Sequence, residues 1–431
     1  MSSYVTKKTD GNTEWYTHDR FGMFIHFGIY SLGARHEWCM NYERIPVDHY
    51  QKYFEHFNPD LYDPKEWAKA AKKAGMKYAV LTTKHHDGFC LFDSKYTDFK
   101  STNTPFGRDV VREYVDAFRA EGIHVGFYYS LLDWHHPHYP IDVAHALCDR
   151  DNAEEMDKGR DMKIYAQYIR DQITELLTNY GKIELLFFDY SFTKDTAPHM
   201  HKDWMQFDGG KGKEQWESEK LLALCRELQP GIIINNRTGL PGDVWTPEQQ
   251  RQTEWRKNEE GELLVWEVCH TFSGAWGYSR DEMTWKNEKM LIDLLTSTVA
   301  YGGNLLMNVG PCSRGYFDYR AVKALDAYGD WMRVNSRSIY GCTMAEPEWK
   351  APEGTVLTQS LDEKRLYVHL QNYPFGKLFM DNLAGKIHYA QFLSDGSEVQ
   401  YTEKEEDGTV IFKLPTIAPH GISPVIEIFL K

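Results

Sequence analysis

Short apolar segments alternate with amphipathic stretches through the first three quarters of this 431-residue chain. The amphipathic stretches have helical periodicity, and some carry end signals, such as the Asp-Pro start and Gly stop between Asp63 and Gly75. Regular alternation of strand and helix requires parallel strand pairing. Seven or eight such units predict an α/β fold with a (β/α)8-type, TIM-like barrel. The strand candidates are residues 21–28, 77–84, 124–130, 183–190, 231–237, 263–269 and 304–310.

A doubly wound open sheet is the alternative topology, because it produces the same alternation of strands and helices. Sheets of that type that bind dinucleotides open from a strand into a GxGxxG loop. No strand candidate in this sequence continues into such a loop. We therefore favour the barrel.

The pattern changes from about residue 350 onward. Five short segments of alternating polarity are separated by turn-like sequences such as LDEK, SDGS and EEDG, without a helix of useful length between them. This predicts a C-terminal antiparallel β-sandwich over residues 350–431, after a barrel domain over residues 1–340. Pro347 and Pro352 interrupt both periodicities and mark the boundary.

Charge and cysteine pattern argue against several classes of function. The formal charge of −14 comes from 63 acidic and 49 basic residues, so neither nucleic acid nor an anionic membrane surface is an expected partner. The seven cysteines are scattered and lack CxxC spacing, which argues against a disulfide framework and a structural zinc site. Without a signal-peptide core or a long apolar run, the expected location is cytoplasmic, unless an export signal precedes the given sequence. The oligomeric state is left open.

Polar residues stand at the carboxyl ends of successive strand candidates. In a (β/α)8 barrel these ends and the loops after them build the active site, so the polar residues are predicted to share one rim. The segment KYAVLTTKHHDGFCLF shows the pattern best, because neighbouring strand residues point to opposite sides and a core cannot easily hide both His85 and His86. The rim residues are His26, Lys84, His85, His86, Tyr128, Tyr129, Asp189, Asn235, Asn236, Arg237 and Glu267.

Asp189 ends the apolar run IELLFFDY, so its carboxylate is carried into a largely desolvated place. Such a residue either caps a neighbouring loop or takes part in chemistry. A second carboxylate favours chemistry, because glycosidic bond cleavage uses one ionised and one protonated carboxyl group. The candidates for the second group are Glu248, Glu254 and Glu267.

The predicted barrel contains, in order, the segments HDRFGMFIHFGIYS, HEWC, AKKAGMKYAVLTTKHHDGFCLFDS, VGFYYSLLDW, FFDY, INNR, GDVWTPEQ, WEVCHTFSGAWGY and GGNLLMNVGP. This series resembles the motifs of the alpha-L-fucosidases of glycoside hydrolase family 29, over about residues 15 to 313. The resemblance implies a retaining exo-glycosidase that releases alpha-L-fucose from fucosylated oligosaccharides by double displacement through a covalent fucosyl-enzyme. No cofactor or metal is expected.

The resemblance also implies roles for individual residues. Asp189 matches the position of the family's nucleophile. Glu248 is our choice for the acid/base because it follows Arg237 by a short interval, as the family's acid follows its sugar-binding arginine; Glu254 and Glu267 remain alternatives. The implied sugar-binding residues are His26, Glu37, Trp38, His85, His86, Tyr129 or its neighbour Tyr128, Arg237 and Trp276.

Fucose lacks a 6-hydroxyl, so its C5 methyl group requires an apolar wall, for which Trp276, Phe24 and Tyr30 are candidates. The loops at residues 134–160 and 191–216 are predicted to shape the site for the leaving group. The second loop contains His199, His201, Trp204 and Trp216.

Three other functions compete with this interpretation. A metal-dependent barrel hydrolase would use the histidines of KHHD and DWHHPH, but adjacent histidines on a strand diverge, and the HxH pair of these segments, His136 and His138, lies in a predicted loop. A non-catalytic carbohydrate-binding barrel is disfavoured because both carboxylates are present. A glycosidase for a related sugar such as alpha-L-galactose would bring a C6 hydroxyl against the apolar wall.

Overall fold

The barrel strands form one parallel sheet in the computed structural model, which describes residues 4–192, 210–419 and 421–431. The strands lie in the order β5-β4-β3-β2-β1-β7-β6, and every neighbouring pair is parallel. Chain order is followed around the sheet without reversal, so the predicted barrel is confirmed and the doubly wound alternative is wrong. The strands are β1 (Phe21–Ile25), β2 (Tyr78–Lys84), β3 (His124–Ser130), β4 (Leu185–Asp189), β5 (Ile233–Ile234), β6 (Glu267–Thr271) and β7 (Asn304–Val309).

Residues 243–249 close the gap between the edge strands β5 and β6. They form isolated parallel bridges to Asn235, just beyond β5, and to Trp266, just before β6. Backbone hydrogen bonds of 2.9 to 3.1 Å join Val244 and Trp245 to the strands on either side. This closing segment is an irregular eighth strand. The sequence did not reveal it, because in GDVWTPEQ a proline follows soon after two apolar residues and no longer run forms.

Helices cover the outside of the sheet where the connections are long enough. Asp63 and Asp109 cap two of them, accepting hydrogen bonds of 2.9 and 2.8 Å from Lys65 N–H and Arg112 N–H. The cap at Asp63 agrees with the Asp-Pro start in the sequence. No helix lies between β5, the closing segment and β6, a stretch that the structure describes throughout, so loops build that side of the rim. The helices are α1 (Glu14–Asp19), α2 (Tyr30–Gly33), α3 (Cys39–Tyr42), α4 (Val47–Glu55), α5 (Pro64–Lys73), α6 (Val110–Ala120), α7 (Ala153–Asp157), α8 (Met162–Asn179), α9 (Ser218–Leu228), α10 (Glu288–Ala300) and α11 (Tyr319–Asn335). Across the described ranges, none of these helices is both long and apolar enough to span a bilayer.

Strand alternation decides which side chains enter the barrel. Phe24, Leu185 and Phe187 belong to the apolar cluster inside the barrel, while their strand neighbours join the larger cluster between sheet and helices. The same period of two brings His26 and Asp189 inward, one step beyond Phe24 and Phe187. The inner core therefore ends at a polar layer at the carboxyl ends of the strands.

The C-terminal strands form two antiparallel sheets around a second apolar core, which confirms the predicted sandwich. One sheet has the order β12-β15-β10-β9-β8 and the other β11-β14-β13. The sequence did not predict β8, β11 and β13, which are only three or four residues long. The domain limits 1–340 and 350–431 stay predictions. The strands are β8 (Cys342–Met344), β9 (Val356–Ser360), β10 (Arg365–His369), β11 (Lys377–Met380), β12 (Ile387–Phe392), β13 (Tyr401–Lys404), β14 (Thr409–Lys413) and β15 (Val425–Leu430).

Candidate active site

A cavity of about 1450 Å³ opens at the carboxyl ends of the barrel strands. It is much larger than one monosaccharide, and polar and aromatic side chains share its lining. Ten of the predicted site residues meet there, brought together from distant parts of the sequence. They are His26, Glu37, Trp38, His85, His86, Tyr128, Asp189, Arg237, Glu248 and Trp276.

Two carboxylates of the cavity share one guanidinium nitrogen. Arg237 Nη1 donates to Asp189 Oδ1 at 2.7 Å and to Glu248 Oε2 at 2.9 Å. The two carboxylate oxygens therefore lie within two hydrogen-bond lengths of each other, which is compatible with the roughly 5–5.5 Å of retaining glycosidases. Asp189 closes β4 and Glu248 lies near the end of the closing segment, so the frame of the barrel sets the distance between them.

The surroundings of Asp189 keep it ionised. Burial raises its pKa, but the Arg237 guanidinium and hydrogen bonds from Arg237 and Tyr128 outweigh burial and hold the pKa below its usual value. Tyr128 donates its hydroxyl to Asp189 Oδ2 at 2.8 Å. The Asp189 side chain is 14% exposed and Glu248 is 45% exposed. Asp189 thus has the charge of a nucleophile, and Glu248 has access to protons from water.

The two rival acids lie elsewhere. Glu254 is exposed and does not line the cavity. Glu267 begins β6 and so lies at the opposite end of the barrel, where its Oε2 accepts a 2.5 Å hydrogen bond from Tyr78. Burial raises the pKa of Glu267 to about 7, against hydrogen bonding that lowers it. The prediction that Glu267 stands at the carboxyl end of a strand was wrong. Strand β6 runs from residue 267 to residue 271, and the apolar residues before it pair with the closing segment.

Both histidines of the KHHD segment line the cavity. Strand β2 ends at Lys84, so His85 and His86 lie in the turn beyond it and strand alternation no longer separates them. Their ring centroids are 4.0 Å apart. Asp87 does not brace either ring: it accepts hydrogen bonds from the Tyr50 hydroxyl and from the backbone of Phe89.

Asn308 fixes the proton of His26. Its Nδ2 donates to the backbone oxygen of Trp276 at 2.7 Å, so its Oδ1 faces His26 Nδ1 at 2.6 Å. His26 Nδ1 must therefore carry the hydrogen, and Nε2 is left as an acceptor for a ligand. Burial lowers the pKa of His26 to about 3, against the Asn308 hydrogen bond, so the ring is neutral at ordinary pH.

Ser130 fixes His86 by the same logic. The Ser130 hydroxyl donates to Leu132 O at 2.9 Å and therefore accepts from His86 Nδ1 at 2.6 Å. Nε2 of His86 is then an acceptor, and it lies 3.9 Å from Asp189 Oδ2. Burial lowers the pKa of His86 to about 4 although Asp189 opposes the shift. Two neutral histidines thus present hydrogen-bond acceptors to the cavity.

The Asn308 arrangement predicts a change in pH dependence. In Asn308→Asp the new carboxylate still accepts from His26 Nδ1 but favours the imidazolium, so the pKa of His26 rises and its acceptor is lost at a higher pH. We expect kcat/KM to decline on acidification at a higher pH than in the wild type. Asn308→Ala removes the anchor and is expected to cost about 10- to 100-fold in kcat/KM. Equal losses in both variants at every pH would show a purely structural role.

The loop after β6 is attached to the HEWC segment through Glu37. This buried carboxylate accepts hydrogen bonds from the backbone N–H groups of Trp276 and Gly277 at 3.1 and 2.7 Å through Oε2. Gly277 permits that approach, because a Cβ there would lie 3.0 Å from Glu37 Cβ and 2.9 Å from the Tyr30 ring. Oε1 of Glu37 has no hydrogen-bond partner among the described residues and is the atom that a ligand hydroxyl would satisfy.

Besides Glu267, three residues of the predicted rim do not reach the cavity. Tyr129 faces outward and donates to Gln172 Oε1 at 2.7 Å, which corrects its inclusion among the sugar-binding residues; strand alternation allows only Tyr128 to point inward. Lys84 is buried and donates to Asp133 and to Tyr165, both at 3.1 Å.

Asn235 is the third of these rim residues, and it bridges strands instead of facing a ligand. Its amide exchanges hydrogen bonds of 2.8 and 2.9 Å with the backbone of Phe188.

The predicted apolar wall also changes, because Phe24 lines the cavity but Tyr30 does not. In the loop after β4, Trp216 is buried and donates to Ser191. His199, His201 and Trp204 lie outside the described residues.

Left-handed backbone occurs beside three of the predicted site residues. His36, Tyr190 and Gln249 have φ angles of 101°, 79° and 50°, and they adjoin Glu37, Asp189 and Glu248. Such conformations are uncommon for residues other than glycine and concentrate at functional sites. No sequence pattern predicted these conformations, or the support that Asn308 and Ser130 provide to the histidines.

The histidines and carboxylates of the described residues are not arranged as a metal site. In residues 4–192, 210–419 and 421–431, no three His, Cys, Asp or Glu side chains converge to hold a metal ion. His136 and His138, the HxH pair, have ring centroids 6.0 Å apart, and His136 lies against Tyr168 at 4.4 Å.

The chain is similar to known proteins over nearly its whole length. The sequence profile of the family described as Alpha-L-fucosidase matches residues 3–337. The Alpha-L-fucosidase of Dictyostelium discoideum is 27% identical over 458 residues, which cover 96% of this chain and 91% of that protein. The structure of alpha-L-fucosidase isoenzyme 1 from Paenibacillus thiaminolyticus has 43% identity and a TM-score of 0.88, covering 97% of this chain and 98% of that one. A GH29 alpha-L-fucosidase from Bacteroides thetaiotaomicron, solved as a trapped covalent intermediate with 2-fluoro-fucosyl fluoride, has 27% identity and a TM-score of 0.81, covering 100% and 98%.

Proposed function

The chain belongs to the alpha-L-fucosidase family, glycoside hydrolase family 29, and we propose that Asp189 and Glu248 carry out its reaction. The protein is a retaining glycoside hydrolase that releases alpha-L-fucose from fucosylated oligosaccharides through a covalent fucosyl-enzyme. The observation that supports the two assignments is the shared Nη1 of Arg237, which holds one oxygen of each carboxylate in the same cavity.

In the first step, an oxygen of ionised Asp189 attacks C1 of the fucosyl group. Protonated Glu248 gives its proton to the glycosidic oxygen as the bond to the leaving group breaks. In the second step, Glu248 takes a proton from water while the water oxygen attacks C1, and Asp189 leaves as a carboxylate. Two inversions at C1 give fucose with retained configuration.

Arg237 serves both steps because negative charge moves between its two partners. Asp189 loses its charge when it forms the ester, at the moment when Glu248 becomes a carboxylate. A guanidinium nitrogen within 2.9 Å of an oxygen of each group stabilises whichever is ionised. The sharing also limits the movement of the two carboxylates relative to each other.

The remaining cavity residues account for recognition of the sugar. Nε2 of His26 and of His86 accept hydrogen bonds from sugar hydroxyls, and Glu37 Oε1 offers a further acceptor. Phe24 and Trp276, whose rings are 5.9 Å apart, provide the apolar wall for the C5 methyl group. A 6-hydroxyl placed against these rings would lose hydrogen bonds to water, so alpha-L-galactosides are poorer substrates.

The cysteines support a cytoplasmic location. All seven are buried as thiols, and the described residues contain no disulfide. In that compartment the substrates are small imported fucosylated oligosaccharides. Fractionation of native cells tests the assignment, and recovery of the enzyme outside the cytoplasm contradicts it.

The stereochemistry of hydrolysis tests the proposed function. With an aryl alpha-L-fucoside, proton NMR at early times is expected to show the alpha anomer of fucose first, before mutarotation. The corresponding alpha-L-galactoside is expected to have a kcat/KM about 10- to 100-fold lower, since a hydroxyl meets the apolar wall. Early appearance of the beta anomer would contradict the double displacement.

A further inference from the structure

The mouth of the cavity carries three aromatic side chains that take no part in the contacts with fucose proposed above. We call them the aromatic rim: Trp38, Tyr42 and Tyr190, all of which line the cavity. Trp38 lies at the centre, with its ring 5.8 Å from Tyr42 and 5.5 Å from Tyr190. The rim also contacts the polar layer at the carboxyl ends of the strands, because the centroid of the Trp38 ring is 4.9 Å from that of His86.

Tyr42 is the outermost member of the rim. Its side chain is 67% exposed, yet its ring is stacked on Trp38 with an interplanar angle of 26°. A large aromatic ring that stays in water at the edge of a cavity offers an apolar face to a ligand. Hydrophobic burial within the protein does not account for this position.

Tyr190 is held in the rim against its backbone preference. Its φ angle of 79° is in the left-handed region, which costs a non-glycine residue conformational energy. Backbone hydrogen bonds hold the chain on both sides of Tyr190: Leu131 N–H donates to Asp189 O at 3.0 Å, and Phe192 N–H, two residues after Tyr190, donates to Lys211 O at 2.9 Å. The conformation brings the Tyr190 ring next to Trp38 and, at 5.4 Å, to His86.

The position of Glu248 shows which part of a substrate meets the rim. The acid protonates the glycosidic oxygen, so the leaving group must lie on its side of the fucosyl ring, toward the mouth. Glu248 lines the same cavity as Tyr42 and Tyr190, so a leaving group on the Glu248 side of the fucosyl ring is directed toward the rim. This step rests on the proposed role of Glu248.

We propose that the aromatic rim is the binding site for the sugar residue to which fucose is attached, with Tyr42 stacking against that residue. The ligand class is a pyranose with an apolar face of axial C–H bonds, such as a beta-linked galactose or N-acetylglucosamine. Stacking on Tyr42 extends the contact outward from Trp38, and Tyr190 bounds the same site on the side of the nucleophile.

Substrates with and without the second sugar test the proposal. Fucosyl fluoride has no leaving-group sugar, whereas a fucosylated lactose has one. For Tyr42→Ala, the ratio of kcat/KM for the oligosaccharide to kcat/KM for the fluoride is expected to fall about fivefold to tenfold, mainly through KM. Tyr42→Phe keeps the ring and is expected to retain the wild-type ratio.

Tyr319→Ala is the matched control, because Tyr319 is 78% exposed at the start of α11 and does not line the cavity. An unchanged ratio in Tyr42→Ala overturns the proposal, and so does an equal fall in Tyr42→Phe, which would assign the effect to the hydroxyl. Either result leaves the proposed catalysis intact, since that is tested on fucosyl fluoride with Asp189 variants.

Discussion

Asp189→Ala is expected to lose roughly 10⁴- to 10⁶-fold in kcat for an aryl alpha-L-fucoside, the scale seen when a covalent nucleophile is removed. The loss follows from the site, because Asp189, which hydrogen bonds from Arg237 and Tyr128 hold in place, supplies the oxygen that attacks C1. Thermal unfolding and circular dichroism are needed beside the kinetics, since the variant leaves a space above Phe187. Ordinary turnover in a folded Asp189→Ala protein would end the assignment.

Two measurements separate loss of the nucleophile from general damage to the site. Azide fits the space left by the carboxylate and attacks C1 from the same face, so it is expected to restore part of the rate and to yield beta-fucosyl azide. Tyr128→Phe is the matched comparison, because it removes the 2.8 Å hydrogen bond to Asp189 and keeps the nucleophile. Its expected loss is about 10- to 100-fold, without azide rescue.

The barrel was predictable because its strands and helices follow strong local rules. Runs of apolar residues, and the Asp-Pro start at Asp63, place β1 to β4, β7 and helix α5 close to their positions in the sequence prediction. The region between β5 and β6 obeys weaker rules. There the closing segment has no apolar run, and Val265 O accepts a backbone hydrogen bond from Trp245 of that segment. Strand β6 therefore begins only at Glu267, later than the sequence predicted. Tertiary pairing, invisible in a local window, decided these bounds.

The sequence predicted which residues lie near the candidate site, but it did not predict which of their side chains point into the cavity. His26, Asp189 and Tyr128 point inward because strand alternation continues to the strand ends. His85 and His86 both face the cavity because the turn after β2 abandons alternation, and a sequence cannot show where a turn begins to rotate its side chains. Asn308 is a polar residue within an apolar strand, and its effect on the His26 proton depends on a carbonyl 32 residues earlier in the chain.

Glu248→Ala is expected to distinguish substrates by their leaving group. In a natural oligosaccharide the leaving group is a sugar alkoxide, a poor leaving group that needs the proton, so kcat/KM is expected to fall about 10²- to 10⁴-fold. In a dinitrophenyl fucoside the leaving group is dinitrophenolate, which departs without protonation, so the rate of the first step is expected to change only a few-fold. The second step still lacks its base, so the fucosyl-enzyme accumulates and an initial burst of phenolate precedes slow turnover.

Azide gives the opposite stereochemical result in this variant, and that contrast assigns the two carboxylates independently. In Glu248→Ala the fucosyl-enzyme on Asp189 still forms, and azide, which needs no general base, attacks it to give alpha-fucosyl azide. The hydrogen bonds from Arg237 Nη1 to both carboxylates lead to this expectation, because each variant removes one carboxylate and leaves the other bound to the same nitrogen. Glu254→Ala serves as the control, since that exposed residue lies outside the cavity lining. If both leaving groups were slowed equally, or if Glu254→Ala reproduced the pattern, Glu248 would be a structural partner of Arg237 and the proton would have to come from another group.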